Sequence, residues 1–189
     1  MRISKASILA AAAILFSAFL IFSSAGAWAD PQGSDTQDTT IKQFALTDDQ
    51  VQNFITAQKA IADIVDKLSD QQSQNPSPAL VAQLNAVAKA NKFADYAEFQ
   101  HVSDNIGLVL AGVDPQTKKY VGADVVIKQE IADVQGDKTM SAQDKQDQLD
   151  DLNAQLKSIE PVTIPGNIDL VLKYYDQIVA SLPKDNGQQ

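Results

Sequence analysis

The chain has 189 residues, 44% hydrophobic, 21% charged and 6% aromatic, with 15 Lys plus Arg against 24 Asp plus Glu. That balance is ordinary for a soluble globular chain and excludes collagen-like, wholly disordered and polytopic membrane classes. Removing residues 1–29, whose only charges are Arg2 and Lys5, leaves 13 basic against 24 acidic groups, a net of −11. Such a charge repels nucleic acid phosphates and anionic lipid, so no nucleic acid partner is expected.

Residues 1–29 read as a secretory signal. Arg2 and Lys5 form the positive start, residues 8–22 are an apolar run, and Ala27-Trp28-Ala29 puts small residues at the two positions read by signal peptidase, so cleavage is expected before Asp30. An uncleaved anchor is disfavoured by Ser17, Ser23, Ser24 and the Ala-rich composition. No stable membrane anchor is therefore expected after cleavage. Cysteine is absent, which removes lipidation after the signal, disulfides, thiolate zinc sites and Cys-linked haem. A disulfide-free secreted chain whose Asn75-Pro76-Ser77 tripeptide is blocked for glycosylation points to a bacterial periplasm.

Asp30 opens a polar leader, residues 30–45, too poor in apolar groups to offset its ordering entropy. Beyond it Pro76, Pro78, Pro115, Pro161, Pro165 and Pro183 fall between apolar-periodic stretches. Because proline interrupts a helix interior, that placement divides the chain into helices. Thr47 and Gln50 have capping-box spacing, Leu46 can staple onto Val51, and Phe54, Ile55, Ile61, Ile64, Val65 and Leu68 continue the helical period. Ser77 with Pro78 starts a second helix burying Leu80, Val81, Leu84 and Val87. Asp95 and Glu98 open a third, with its buried side running from Tyr96 to Val113. Asp114-Pro115 is expected to begin a fourth, reaching about Val134 through Gly122 and ending at Gly136 and Asp137.

Ser141, with Asp144 three residues on, caps a fifth helix reaching about Ile159. Its Leu149, Leu152, Leu156 and Ile159 form a narrow seam that contacts neighbours along one edge only. Asn167 is expected to cap a sixth helix, with Ile168, Val171, Leu172, Tyr175, Ile178, Val179 and Leu182 inward before Pro183 stops it. No stretch alternates as a strand does. The expected fold is all-α, a single-domain antiparallel bundle of about six helices over residues 46–183, followed by a flexible tail at 184–189.

Of the 24 acids 21 are Asp, a poor helix-interior residue, which calls for a reason. Capping at Asp48, Asp49, Asp95 and Asp114 is one, and one-turn pairs Asp63 to Lys67, Asp124 to Lys128 and Asp169 to Lys173 are another. Asp144, Asp147, Asp150 and Asp151 crowd one side of the fifth helix, but a rigid helix cannot wrap an ion as calcium loops do. His101 is the only histidine, three residues after Glu98. Di-iron bundle sites need two Glu-x-x-His pairs and two further Glu, and this chain has three Glu in all. The glycines are isolated, so there is no phosphate loop, and after residue 29 there is no Arg clamp and no Cys nucleophile. No catalytic residue, metal site or cofactor is expected, and the chain is not expected to be an enzyme.

Two functions fit these residues. The first is a non-enzymatic secreted protein that binds other envelope or secreted proteins, holdase-like in one form, through the seam Leu149, Leu152, Leu156 and Ile159. The alternative is a carrier of an apolar small molecule between helices, with Phe93, Tyr96, Phe99, Tyr120, Tyr174 and Tyr175 as candidate cavity lining.

Overall fold

The structure, a computed structural model, describes residues 40–65, 67–68 and 76–183. The signal peptide at 1–29, residues 30–39 of the leader, residues 71–75 after the first helix and the tail at 184–189 lie outside the described residues. What is described is all-α apart from one ribbon of two two-residue strands. Its helices are α1 (Asp48–Val65), α2 (Pro78–Ala90), α3 (Tyr96–Leu110), α4 (Ala123–Gly136), α5 (Ala142–Lys157), α6 (Pro165–Lys173) and α7 (Tyr175–Ser181). Between α3 and α4 lie β1 (Val113–Asp114) and β2 (Lys119–Tyr120).

Helix starts follow local chemistry. The Gln50 N–H donates to Thr47 Oγ1 at 3.2 Å while the Thr47 N–H donates to Gln50 Oε1 at 3.0 Å, a reciprocal box that satisfies two orphan donors. Ser77 accepts the Leu80 N–H at 3.2 Å with Pro78 in the first turn. Asp95 Oδ1 accepts the Glu98 N–H at 2.9 Å ahead of α3, and Ser141 Oγ accepts the Asp144 N–H at 3.1 Å ahead of α5.

The expected fourth helix is replaced at its start by a hairpin. Val113 pairs with Tyr120 and Asp114 with Lys119. Asp114 does not open a helix: its Oδ1 accepts the N–H groups of Gln116 at 2.8 Å and Thr117 at 3.2 Å, which closes a turn instead. Lys118 then takes a left-handed φ of 54°. Gly122 is not a helix-interior residue but the N-cap of α4, at φ 99°. That conformation carries little steric cost only without a Cβ. The third helix accordingly stops at Leu110, and Val113 is buried from the ribbon.

The last expected helix is two. Ile164 is its N-cap, with Pro165 in the first turn, so Asn167 sits inside that turn and is buried at 3% exposure. Tyr174 separates α6 from α7. Val81 and Val179, expected inward, are 39% and 45% exposed, because the buried stripes of their helices are narrower than the periodicity implies. On α2 that stripe is Leu80, Leu84 and Ala88, one residue per turn.

The described chain divides into two compact units, whose boundaries fall inside α1, α3 and α7. One contains Gln52–Gln100 and the C-terminal residues from Gln177. Within it Phe99 stacks on Phe54 at 5.5 Å and on Tyr96 at 5.8 Å, with Phe93 edge-on at 5.5 Å. Ala57, Ile61, Leu84 and Ala88 are fully buried in the same unit. The other unit contains Ile41–Val51 and His101–Asp176. Its buried residues include Leu46, Val102, Ile106, Val109 and Val171, together with the polar Asn105 and Asn167. Here Asp48, in the first turn of α1, pairs with Lys173 and accepts the Tyr174 hydroxyl at 2.8 Å. Lys173 therefore meets Asp48 in place of the expected Asp169, whereas Asp124 to Lys128 forms as expected at 3.0 Å.

Candidate functional site

Three of the four seam residues lie on α5, which follows α4 in the second unit through the link at 137–141. The link is fixed by its own polar groups. Asp137 Oδ1 accepts the Thr139 N–H and hydroxyl at 2.6 Å each, and Lys145 Nζ donates to the Gln135 carbonyl at 3.2 Å. Each helix of the pair buries a single side chain, Val134 on α4 and Leu152 on α5. Leu149 and Leu156 are half-buried, and Ile159 lies past the end of the helix, also half-buried. Four residues in one line were expected, and the helix carries three. Asp144, Asp147, Asp150 and Asp151 are all exposed on α5. Glu130 is half-buried on α4, and burial with the nearby Asp133 charge raises its pKa above the usual carboxylate value.

The six aromatic residues divide between the two units, three in each. In the first unit Phe99 is the hub: Phe54 and Tyr96 stack on it and Phe93 meets it edge-on. Tyr120, Tyr174 and Tyr175 belong to the second. Tyr120 packs over Gly112, where a Cβ would lie 2.4 Å from its ring. Tyr174 is tied to Asp48, with Lys173 Nζ 4.9 Å from its ring centroid. Burial raises the pKa of Tyr175 and of Tyr120, as expected for phenols partly withdrawn from water. An open cleft of about 320 Å³ in the first unit is lined by Ile64, Lys67, Leu68, Leu80 and Gln83 among others, and by none of the six aromatics.

His101 is exposed on α3. Asp104, one turn on, has its pKa raised by burial against the opposing charge of His101. Among the described residues no group of three or more His, Cys, Asp or Glu is placed to hold a metal ion, and no helix is long and apolar enough to cross a membrane.

Sequence reasoning missed a polar clamp in the second unit. Residues 41–46 are held from three directions by side chains distant in sequence. Both Glu160 oxygens accept the Ile41 N–H, at 3.1 and 3.0 Å. Asn105 Oδ1 accepts the Phe44 N–H at 3.2 Å, and its Nδ2 donates to the Lys42 carbonyl at 3.0 Å and to the His101 carbonyl at 2.8 Å. Asn167 Oδ1 accepts the Leu46 N–H at 2.8 Å and its Nδ2 donates to the Phe44 carbonyl at 2.8 Å. Residues 41–45, assigned to the leader by composition, are thus anchored in the fold. The signal available in sequence was Asn105 itself, a poor helix former set on the buried face between Val102 and Val109.

No protein-family model, no curated protein and no solved structure matches this chain.

Proposed function

We propose that this is an exported, non-enzymatic helical protein that binds other proteins or envelope components through the α4–α5 pair, with holdase action on unfolded clients as its form. The observation that supports this reading is that each helix of the pair buries a single side chain. A pair that buries so little has low local stability and can open without unfolding the rest. Its half-buried Leu149 and Leu156 then become available, beside exposed acids that keep the open form soluble. Export rests on the sequence of residues 1–29, with cleavage before Asp30 and the periplasm as destination. Trp28 is the only Trp, so the exported form should lack indole emission.

The carrier alternative has less support, because the rings of Phe93 and Tyr96 are engaged with that of Phe99, which also stacks on Phe54. The deciding experiment uses the cysteine-free background. Gln135→Cys and Lys145→Cys, neighbours across the link, are joined by a bis-maleimide, and suppression of aggregation of reduced insulin chains is followed by light scattering without nucleotide. Tethered protein should suppress aggregation less than the untethered double variant. Equal suppression removes the reading, and a stoichiometric apolar small molecule found by native mass spectrometry puts the carrier in its place.

A further inference from the structure

The clamp on residues 41–46 has the chemistry of a recognition site. Along one edge of this segment the polar groups run Lys42 C=O, Phe44 N–H, Phe44 C=O, Leu46 N–H. Every second residue facing one way is the geometry of an extended chain. Each Asn amide bridges the carbonyl of one residue and the N–H of the residue two further on. Donor and acceptor face the segment together, as a neighbouring strand would present them. Asn105 and Asn167 are 1% and 3% exposed, so the reading groups are built into the unit rather than loose on its surface.

Four of these bonds go to main chain, which every polypeptide carries. Side chains of the segment add to these bonds: Gln43 Nε2 donates to the Pro161 carbonyl at 2.9 Å, and Gln43 Oε1 accepts the Thr163 N–H at 2.7 Å and hydroxyl at 2.9 Å. Leu46 is buried and Phe44 half-buried, while Lys42 and Ala45 are exposed. Main-chain bonds supplying affinity, with alternate side chains supplying selectivity, is the pattern of strand-addition recognition. Here two helix-borne amides take the place of the sheet edge.

We propose that the cleft read by Asn105 and Asn167 is a binding site for an extended polypeptide segment of a partner protein with apolar side chains two residues apart, and that residues 41–46 are its resident, displaceable occupant. The arm is covalently attached through Thr47, so it competes at an effective concentration of about millimolar and keeps the site closed to weaker segments. It peels from Ile41, the end away from α1. The inference does not depend on the α4–α5 pair, which the tether above tests separately.

The test uses the intact chain and a synthetic acetylated, amidated peptide with the sequence of residues 40–47. In hydrogen exchange, the Phe44 and Leu46 amides should exchange at least about tenfold faster than that of Ile106 on α3, through opening of the arm alone. Peptide at about millimolar concentration should accelerate arm exchange further and leave Ile106 unchanged. A peptide N-methylated at the positions of Phe44 and Leu46 should do nothing. In the full chain carrying Phe44→Ala, the labelled peptide should bind at least about tenfold more tightly by anisotropy than in the wild type, because the competitor is weakened. Arm amides that exchange no faster than Ile106, exchange indifferent to peptide, equal action of the N-methylated peptide, or equal affinity for a folded Phe44→Ala chain would each overturn the proposal.

Discussion

Asn105 and Asn167, on different helices, hold the two polar groups of one residue: Asn105 Oδ1 accepts the Phe44 N–H at 3.2 Å and Asn167 Nδ2 donates to the Phe44 carbonyl at 2.8 Å. Both side chains are withdrawn from water, at 1% and 3% exposure. Asn105→Ala leaves the Phe44 N–H and the Lys42 carbonyl without the amide, and removes a third bond to the His101 carbonyl. A loss of about 2–4 kcal/mol is expected, from about 1–3 kcal/mol for each buried group left unpaired. Asn105→Asp keeps the acceptor but loses both donations, so it should rescue little. Urea unfolding followed by circular dichroism measures both, and a loss below about 1 kcal/mol for Asn105→Ala would show that the clamp does not hold the arm.

How much of this was legible in the sequence follows from the reach of each interaction. The caps at Thr47, Ser77, Asp95 and Ser141 each act on a group three residues away, and all four were readable. The turn after Asp114 is equally local but was misread, because Asp followed by Pro starts helices and turns alike. What decided it was Gly122, whose left-handed φ belongs at a helix boundary and not in a helix interior. The clamp was not legible at all, since Phe44 finds Asn105 61 residues away and Asn167 123 residues away. Nor does any Gly- or Pro-rich linker mark the division into two units, because its boundaries run through helices.

The ribbon between α3 and α4 makes a prediction through its glycines. A Cβ on Gly112 would sit 2.4 Å from Tyr120 Cε2 and 3.1 Å from the Ala123 nitrogen, so Gly112→Ala must displace either the ring or backbone. Gly122→Ala meets Asp124 Oδ1 at 3.0 Å and must hold a φ of 99° with a side chain. Each should cost about 1–3 kcal/mol. Gly136, at the end of α4 with nothing within 4 Å, is the control, and Gly136→Ala should be neutral or stabilising by up to about 1 kcal/mol. Thermal unfolding that ranks Gly136→Ala with the other two would refute the assignment of the ribbon.

Leu152 is 2% exposed and is the one buried side chain of α5. Leu152→Ala should therefore cost about 2–4 kcal/mol in the local stability of the α4–α5 pair. Leu149→Ala, at a half-buried position, should cost about 1 kcal/mol. The effect should be regional: hydrogen exchange in α4 and α5 should accelerate in Leu152→Ala while the amide of Phe99 in α3 is unaffected. Acceleration spread evenly over both units would mean that α5 does not open separately.

The acid dependence of stability has two parts of opposite sign. Glu130 has its pKa raised above the ordinary 4.5, by burial first and by the Asp133 charge second. Its folded carboxyl takes up a proton at higher pH than the unfolded one. Stability therefore rises as pH falls through the folded value, and the gain is complete below the ordinary value. Asp48 runs the other way. The hydrogen bond from Lys173, then that from the Tyr174 hydroxyl, holds its pKa below the ordinary 3.8. Its contribution is present above that value and lost as pH falls through the lowered one. Glu130→Gln should then unfold at a higher temperature than wild type at neutral pH. The difference should shrink as pH falls and vanish below 4.5, where both chains carry an uncharged group at this position. Asp48→Asn should behave in reverse, less stable than wild type at neutral pH and converging with it only in strong acid. Melting temperatures taken by circular dichroism across the acid range decide the point, and a Glu130→Gln chain no more stable than wild type at neutral pH would mean that the α4–α5 pair leaves this carboxylate fully hydrated.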